Sequence, residues 1–261
     1  MKKYNYNNKL EFEGEYLNNE INGKAKEYYD NSNLMFEGEY LNNKRNGIGK
    51  EYNSNKKIIY EGEYLDGKRN GKGKEYYNGR EIIFEGDFLK GEKWNGKGKE
   101  YYNNGKLKFE GEYINGKRNG KGKEYNYNVN VKFEGEYLNN KRIGKGKEDK
   151  DYEILILFEG EYLDGKRNGK GKEYCYNHNL IFEGEYLNDK KWNGKGYDKN
   201  SNVIYELKNG NGKGKEYDGN GNILFEGEYL NGQRNGIGKE YDENGKLIFE
   251  GEYLNDGRIY C

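Results

Sequence analysis

The chemistry-bearing residues of this chain are repeated rather than singular. The string Phe/Tyr-Glu-Gly-Glu-Tyr, or a close variant, begins at Phe12, Phe36, Tyr60, Phe84, Phe109, Phe133, Phe158, Phe182, Phe225 and Phe249, and a degenerate copy begins at Tyr205. Two carboxylates beside aromatic rings are the equipment of a glycosidase, but that reaction needs one acid and one base in different environments. Identical pairs in every unit argue against such a division of labour, so no catalytic residue is assigned and no enzyme is expected. The glycine-lysine strings fail as phosphate loops: Gly67-Lys68-Arg69-Asn70-Gly71-Lys72-Gly73 lacks the Walker spacing and its hydroxyl. Asp218-Gly219-Asn220-Gly221-Asn222 opens like a calcium loop, but Tyr229 stands where the closing Glu belongs. His178 is the only histidine, and Cys175 and Cys261 have neither disulfide nor metal-ligand spacing. No metal and no cofactor are expected.

Two other sets of residues are candidates for binding. Lys44-Arg45, Lys68-Arg69, Lys117-Arg118, Lys141-Arg142 and Lys166-Arg167 recur at one phase of the repeat, with Lys190-Lys191 and Arg234 as variants. At hairpin tips they would line one edge at intervals of about 9–10 Å, twice the strand spacing. Such an edge suits acidic phospholipid headgroups; the plainer reading is a row of solvated turns. The second set lies where the repeat is irregular. Trp94 and Trp192 stand at the Arg phase in turns one residue longer, and Leu155 and Leu157 occupy the face that otherwise carries Glu. These four are candidate hot spots for a partner.

The elements that position these residues follow from periodicity. From Ile58 to Leu65, Tyr60, Gly62 and Tyr64 fall on one face and Glu61, Glu63 and Leu65 on the other. Asp66 to Asn70 reads as a turn, and Gly71 to Tyr76 as a second strand. Asn-Gly pairs such as Asn104-Gly105 and Asn244-Gly245 predict type I′ turns between units. Each unit is thus a β-hairpin. The fold class is all-β: an elongated single-layer antiparallel meander of about eleven 24-residue hairpins, one array over 1–261, about 100 Å long at about 4.8 Å per strand. The 41 glycines call for a reason, since Gly weakens a strand interior. Aromatic rings lying over bare glycine backbone supply one, with Phe36, Gly38, Tyr40, Gly47 and Gly49 as the start of a ladder. Glu37 should face Lys50 across the hairpin on the other side.

Composition sets the remaining bounds. There are 46 basic and 46 acidic residues, 29 Tyr, 10 Phe and no Pro. That balance disfavours nucleic acid as a partner, and the aromatics disfavour disorder. Within residues 60–83 the charges already cancel, so neutrality belongs to each hairpin and leaves room for a locally basic edge. No apolar stretch is long enough for a signal peptide or a membrane-spanning helix, and a reducing, cytoplasmic location is expected.

FEGEYLNNKRNGIGKEY (Phe36–Tyr52), FEGEYINGKRNGKGKEY (Phe109–Tyr125) and FEGEYLNGQRNGIGKEY (Phe225–Tyr241) resemble MORN repeats, and YDENGKLIF (Tyr241–Phe249) resembles the MORN variant of bacterial antitoxin-like proteins. The resemblance covers about residues 10 to 258. It departs from the family where His often precedes Gly-x-Gly, which is Asn here at Asn46, Asn70 and Asn119. It implies a groove-shaped β-sheet and a role as scaffold or membrane-associated tether. The reading is a non-enzymatic scaffold for a protein partner. The alternatives are a peripheral tether to acidic phospholipids and an antitoxin-like immunity protein. An open strand at either end suggests end-to-end self-association.

Overall fold

A computed structural model describes residues 1–148, 157–175, 178–218 and 220–260. Among these residues there are 23 strands and no helix, and the strands form an antiparallel sheet in a meander. The described chain divides into two compact units, residues 1–102 with 110–119 and residues 103–109 with 120–261.

Strands Leu34–Leu41 and Lys44–Tyr52 show how one hairpin is made. They are joined by Asn42-Asn43 alone, with φ of 49° and 65°. Positive φ at both central residues is the type I′ turn, whose twist matches that of paired strands. Asp66-Gly67, Asn115-Gly116 and Asp164-Gly165 repeat the geometry. The turn is therefore two residues long, and Lys68–Tyr77 is already strand, which corrects the five-residue turn expected from composition. Between hairpins, Asn78-Gly79 forms the type I′ turn expected of an Asn-Gly pair, with φ of 52° and 76°, but Asn104-Gly105 and Asn244-Gly245 do not, since Asn104 and Asn244 lack positive φ. In Asp242–Lys246, Asp242 Oδ1 accepts the N–H groups of Asn244 and Lys246, and only Gly245 closes with positive φ. Asn53 and Asn126 do the same in their loops. A short acceptor side chain replaces a backbone turn there.

Register places the two faces. Phe36 pairs with Glu51, Glu37 with Lys50, Gly38 with Gly49 and Tyr40 with Arg45. Asn46, Gly47 and Ile48 thus oppose Glu39 alone, forming a bulge in which Gly47 has φ 93°. This corrects the ladder reading of Gly47: it is a bulge glycine beside the Glu39 carboxylate, not a ring-covered one. Gly38 does lie beneath a ring, since a Cβ there would meet Phe36 Cζ at 2.6 Å and the Gly49 backbone at 2.6 Å.

The core is a line of rings on one face. Phe36, Tyr60, Phe84, Phe133 and Phe182 are fully buried. Phe36 meets Tyr40 and Tyr64 at centroid distances of 5.7 and 5.2 Å, and Tyr60 meets Tyr64 and Phe88 at 5.4 and 4.9 Å, all near perpendicular. In the second unit Phe133 touches Tyr137 and Tyr162 at 5.6 and 5.1 Å in the same way. Edge-to-face pairs contribute about 0.5–1.5 kcal/mol each beyond area burial. Each ring thus bonds one hairpin to the next while covering glycine on its own.

Candidate functional site

The arginines of the basic pairs do not line the tip. Arg45 lies over Phe36, its guanidinium carbon 4.1 Å from the ring centroid. Its Nε and Nη2 donate to Glu27 at 2.9 Å, and its Nη1 donates to Glu51 at 3.2 Å. Arg69 lies over Tyr60 and pairs with Glu51 and Glu75. Arg142 lies over Phe133 between Glu124 and Glu148, and Arg167 lies over Phe158 between Glu148 and Glu173. Arg118 forks onto Glu100. The expectation of a solvated Arg edge is corrected by this geometry: alternation continued from Gly49 puts both Arg45 and Glu51 on the ring face.

The carboxylates in this lattice were not singled out in the sequence, although the same alternation reaches them. Glu51 accepts from Tyr64 at 2.8 Å as well as from two arginines. Burial works against its charge, but Arg69, Tyr64 and Arg45 outweigh burial and hold its pKa below the usual carboxylate value. Burial likewise opposes the Arg45 charge, and Glu27 and Glu51 reverse that, so its pKa is raised. A guanidinium that spans carboxylates from two successive hairpins acts as a cross-brace.

What remains at the tips is lysine and leucine. Lys44, Lys68, Lys117, Lys141 and Lys166 are exposed. Two of them are matched by tip carboxylates, Lys44 by Asp66 at 3.3 Å and Lys141 by Asp164 at 3.1 Å. Beside them stand apolar side chains at constant phase. In the first unit these are Leu17, Leu41, Leu65, Leu89 and Ile114, with Leu17 63% and Leu41 51% exposed; in the second they are Leu138, Leu163, Leu187, Leu230 and Leu254. Leu41 closes its hairpin opposite Lys44, and Leu65 opposite Lys68. Successive tips are tied by backbone bonds such as Gly67 N–H to Arg45 O and Gly91 N–H to Arg69 O. The result is an apolar ridge with charges of both signs.

Trp94 and Trp192 are half-buried. The cation over the ring in their hairpins is Lys93 over Phe84 and Lys191 over Phe182. Each Trp is the residue bulged out of register, and its carbonyl accepts the next tip's N–H, from Gly116 or Gly210. Lys thus takes the side-chain place of Arg and Trp its backbone place. Leu157 is half-buried opposite Tyr174; Leu155 lies outside the described residues. His178 is an exposed turn residue with φ 63°.

The face opposite the rings is a groove. In the second unit Gly135, Gly146, Gly160, Gly171 and Gly184 are register partners in sequence and form its floor. Glu134, Lys147, Glu159, Lys172 and Glu183 form one wall, and Lys145, Glu161, Lys170 and Glu185 the other, around about 1080 Å³. In the first unit Gly38 and Gly49 floor a similar space of about 610 Å³ between Glu37, Lys50, Glu39 and Ile48. Glu37 does face Lys50.

Residues 21–42, 94–115, 210–231 and 234–255 match the MORN repeat variant, and residues 36–56, 60–79, 109–128, 133–150 and 158–180 match the MORN repeat. No curated protein matches the chain. Hairpins of one design, rings over paired glycines and these matches agree, and the chain belongs to the MORN repeat proteins, a non-catalytic repeat type whose members serve as modules for interaction with proteins or membranes.

Proposed function

We propose that the chain is a non-enzymatic scaffold whose hairpin tips dock a protein partner. The observation that carries this reading is the ridge of exposed Leu and Ile at one phase of every regular hairpin. A continuous exposed apolar row marks an interaction surface, whereas scattered apolar residues do not. The ridge favours protein over acidic lipid because its arginines are spent inside the ring lattice and lysines such as Lys44 and Lys141 meet tip aspartates. A stripe for anionic headgroups would keep those cations free.

The test is capture with the double variant L41S/L65S. Both side chains are about half exposed, so the melting temperature should stay within a degree or two. Recovery of the partner that the wild-type chain crosslinks should fall about tenfold. Unchanged recovery overturns the ridge as the docking surface. Sedimentation with acidic vesicles that is lost on neutralising Lys44, Lys68 and Lys117 would replace the protein partner by a membrane.

A further inference from the structure

The two walls of the glycine-floored groove differ in how their carboxylates are paired. On one wall the carboxylates meet lysine across the strands: Lys147 to Glu159 at 3.4 Å, Lys172 to Glu183 at 2.9 Å and Lys50 to Glu61 at 3.5 Å. Tyrosines on the same side add further bonds, such as Tyr52 to Glu37 and Tyr76 to Glu61. On the other wall, Glu161 accepts the backbone N–H of Lys170 at 2.9 Å, Glu185 accepts from Asn193 at 2.8 Å, and Glu39 accepts the N–H of Ile48 at 3.3 Å. Among the described residues no side-chain cation lies within 4.0 Å of Glu39, Glu63, Glu161 or Glu185. The bulge explains the difference: it turns Glu39 and Glu161 toward backbone donors and Glu185 toward the Asn193 side chain, and Glu63 has Ile48 rather than a lysine across the strands.

Within each unit this leaves carboxylates without a cation two strands apart, about 9.6 Å, Glu39 and Glu63 in the first and Glu161 and Glu185 in the second; the run in the first unit stops at Asp87, which Lys72 meets at 2.6 Å. We infer that the groove is a second binding site, independent of the ridge, for a partner segment in the polyproline II conformation with a basic residue at every third position. That conformation repeats every three residues at about 3.1 Å each, so every third side chain returns to one side at about 9.3 Å. The match to the two-strand period is within about 0.3 Å per turn. A β-strand brings side chains to one side every 6.7 Å or so. An α-helix is about 10–12 Å wide, more than the roughly 7 Å between wall residues two apart on a strand. Lysine and arginine on the segment reach the carboxylates that lack a cation, between the wall lysines Lys145 and Lys170 in the second unit, and its backbone lies along the glycine floor, where no side chain obstructs it.

Fluorescence anisotropy with the full chain at physiological salt tests this, using labelled (Pro-Pro-Lys)5, (Pro-Pro-Glu)5 and the helical peptide (Glu-Ala-Ala-Ala-Lys)3. Only the lysine peptide should bind saturably. The combined variant E39Q, E63Q, E161Q and E185Q keeps an acceptor oxygen for the donors that meet Glu39, Glu161 and Glu185 and should weaken binding at least tenfold, about threefold for each neutralised carboxylate a peptide meets. L41S/L65S should bind the peptide as the wild type does, which separates this site from the ridge. Should the combined variant melt early, the salt dependence of the wild type decides: affinity must fall as ionic strength rises. The inference is overturned by absent saturable binding, by equal binding of the acidic or helical peptide, by a folded combined variant that binds normally, or by affinity indifferent to salt.

Discussion

Two neighbouring hairpins of the first unit solve the same packing problem with different residues. In the first, strands Ile58–Leu65 and Lys68–Tyr77, Arg69 lies 4.4 Å over Tyr60 and reaches Glu51 and Glu75 together, while Tyr64 donates to Glu51. In the second, strands Glu81–Leu89 and Glu92–Tyr101, Phe88 has no hydroxyl, and Lys93 lies 5.6 Å from the Phe84 centroid and pairs with Glu75 at 2.6 Å. The registers differ as well: Tyr60 pairs with Glu75, but Phe84 pairs with Gly98, because the Trp94 bulge holds one extra residue where Asn70-Gly71 holds two. A planar guanidinium spans carboxylates from two strands, whereas an ammonium is a point charge that serves one. The comparison separates what the fold requires, a ring over glycine, from what reinforces it, a brace between hairpins.

The largest expected effect removes every brace at once. The folded-state pKa of Glu51, Glu216 and Glu240 is depressed, so these groups contribute stability that is present above the unfolded carboxylate value, about 4.3, and is lost as pH falls through their lower folded values. Acid titration followed by tyrosine and tryptophan emission should show cooperative loss of structure below about pH 4. Unfolding beginning near pH 6 would mean that other groups carry the stability.

Removing single braces should sharpen the contrast between the hairpins. Arg69→Ala removes the guanidinium that joins Glu51 to Glu75, leaving Glu51 to Arg45 and Tyr64 and Glu75 to Lys93, and should cost about 2 kcal/mol, the range for lost hydrogen bonds to charged groups. Lys93→Ala leaves Glu75 to the longer Arg69 contact alone and should cost about 1 kcal/mol. Urea unfolding of both variants checks the order, and equal losses would show that the guanidinium is no better a brace than the ammonium. The smallest effect is a gain: Phe88→Tyr restores to Glu75 the donor that Tyr64 gives Glu51, and should stabilise by about 1 kcal/mol. A loss would mean the hydroxyl does not fit beside Lys93.

Much of this arrangement was legible in the residues. Phe36, Gly38 and Tyr40 alternate strictly, and alternation has one physical outcome in a sheet, so the ring face and its glycine cover could be read directly. Asn-Gly between hairpins is a type I′ turn at Asn78-Gly79 but not at Asn104-Gly105 or Asn244-Gly245, while Asn42-Asn43 and Asp66-Gly67 fill that role inside the hairpins. Arg45 was read as a tip residue because turn chemistry was extended three residues too far. Alternation puts Leu65 on the correct face, but it does not say whether that face is covered.

The sequence by itself determined the repeat, the hairpin, the side of each residue and the cancellation of charge within each unit, because these depend only on local spacing and side-chain type. The tertiary structure decided which charges meet. Glu51 and Arg69 are 18 residues apart and belong to successive hairpins, and only register across strands brings them over a shared ring. The same register, shifted by a bulge at Gly47, turns some carboxylates toward lysine and others toward backbone. It leaves the leucines of the tips uncovered and the glycine floor open.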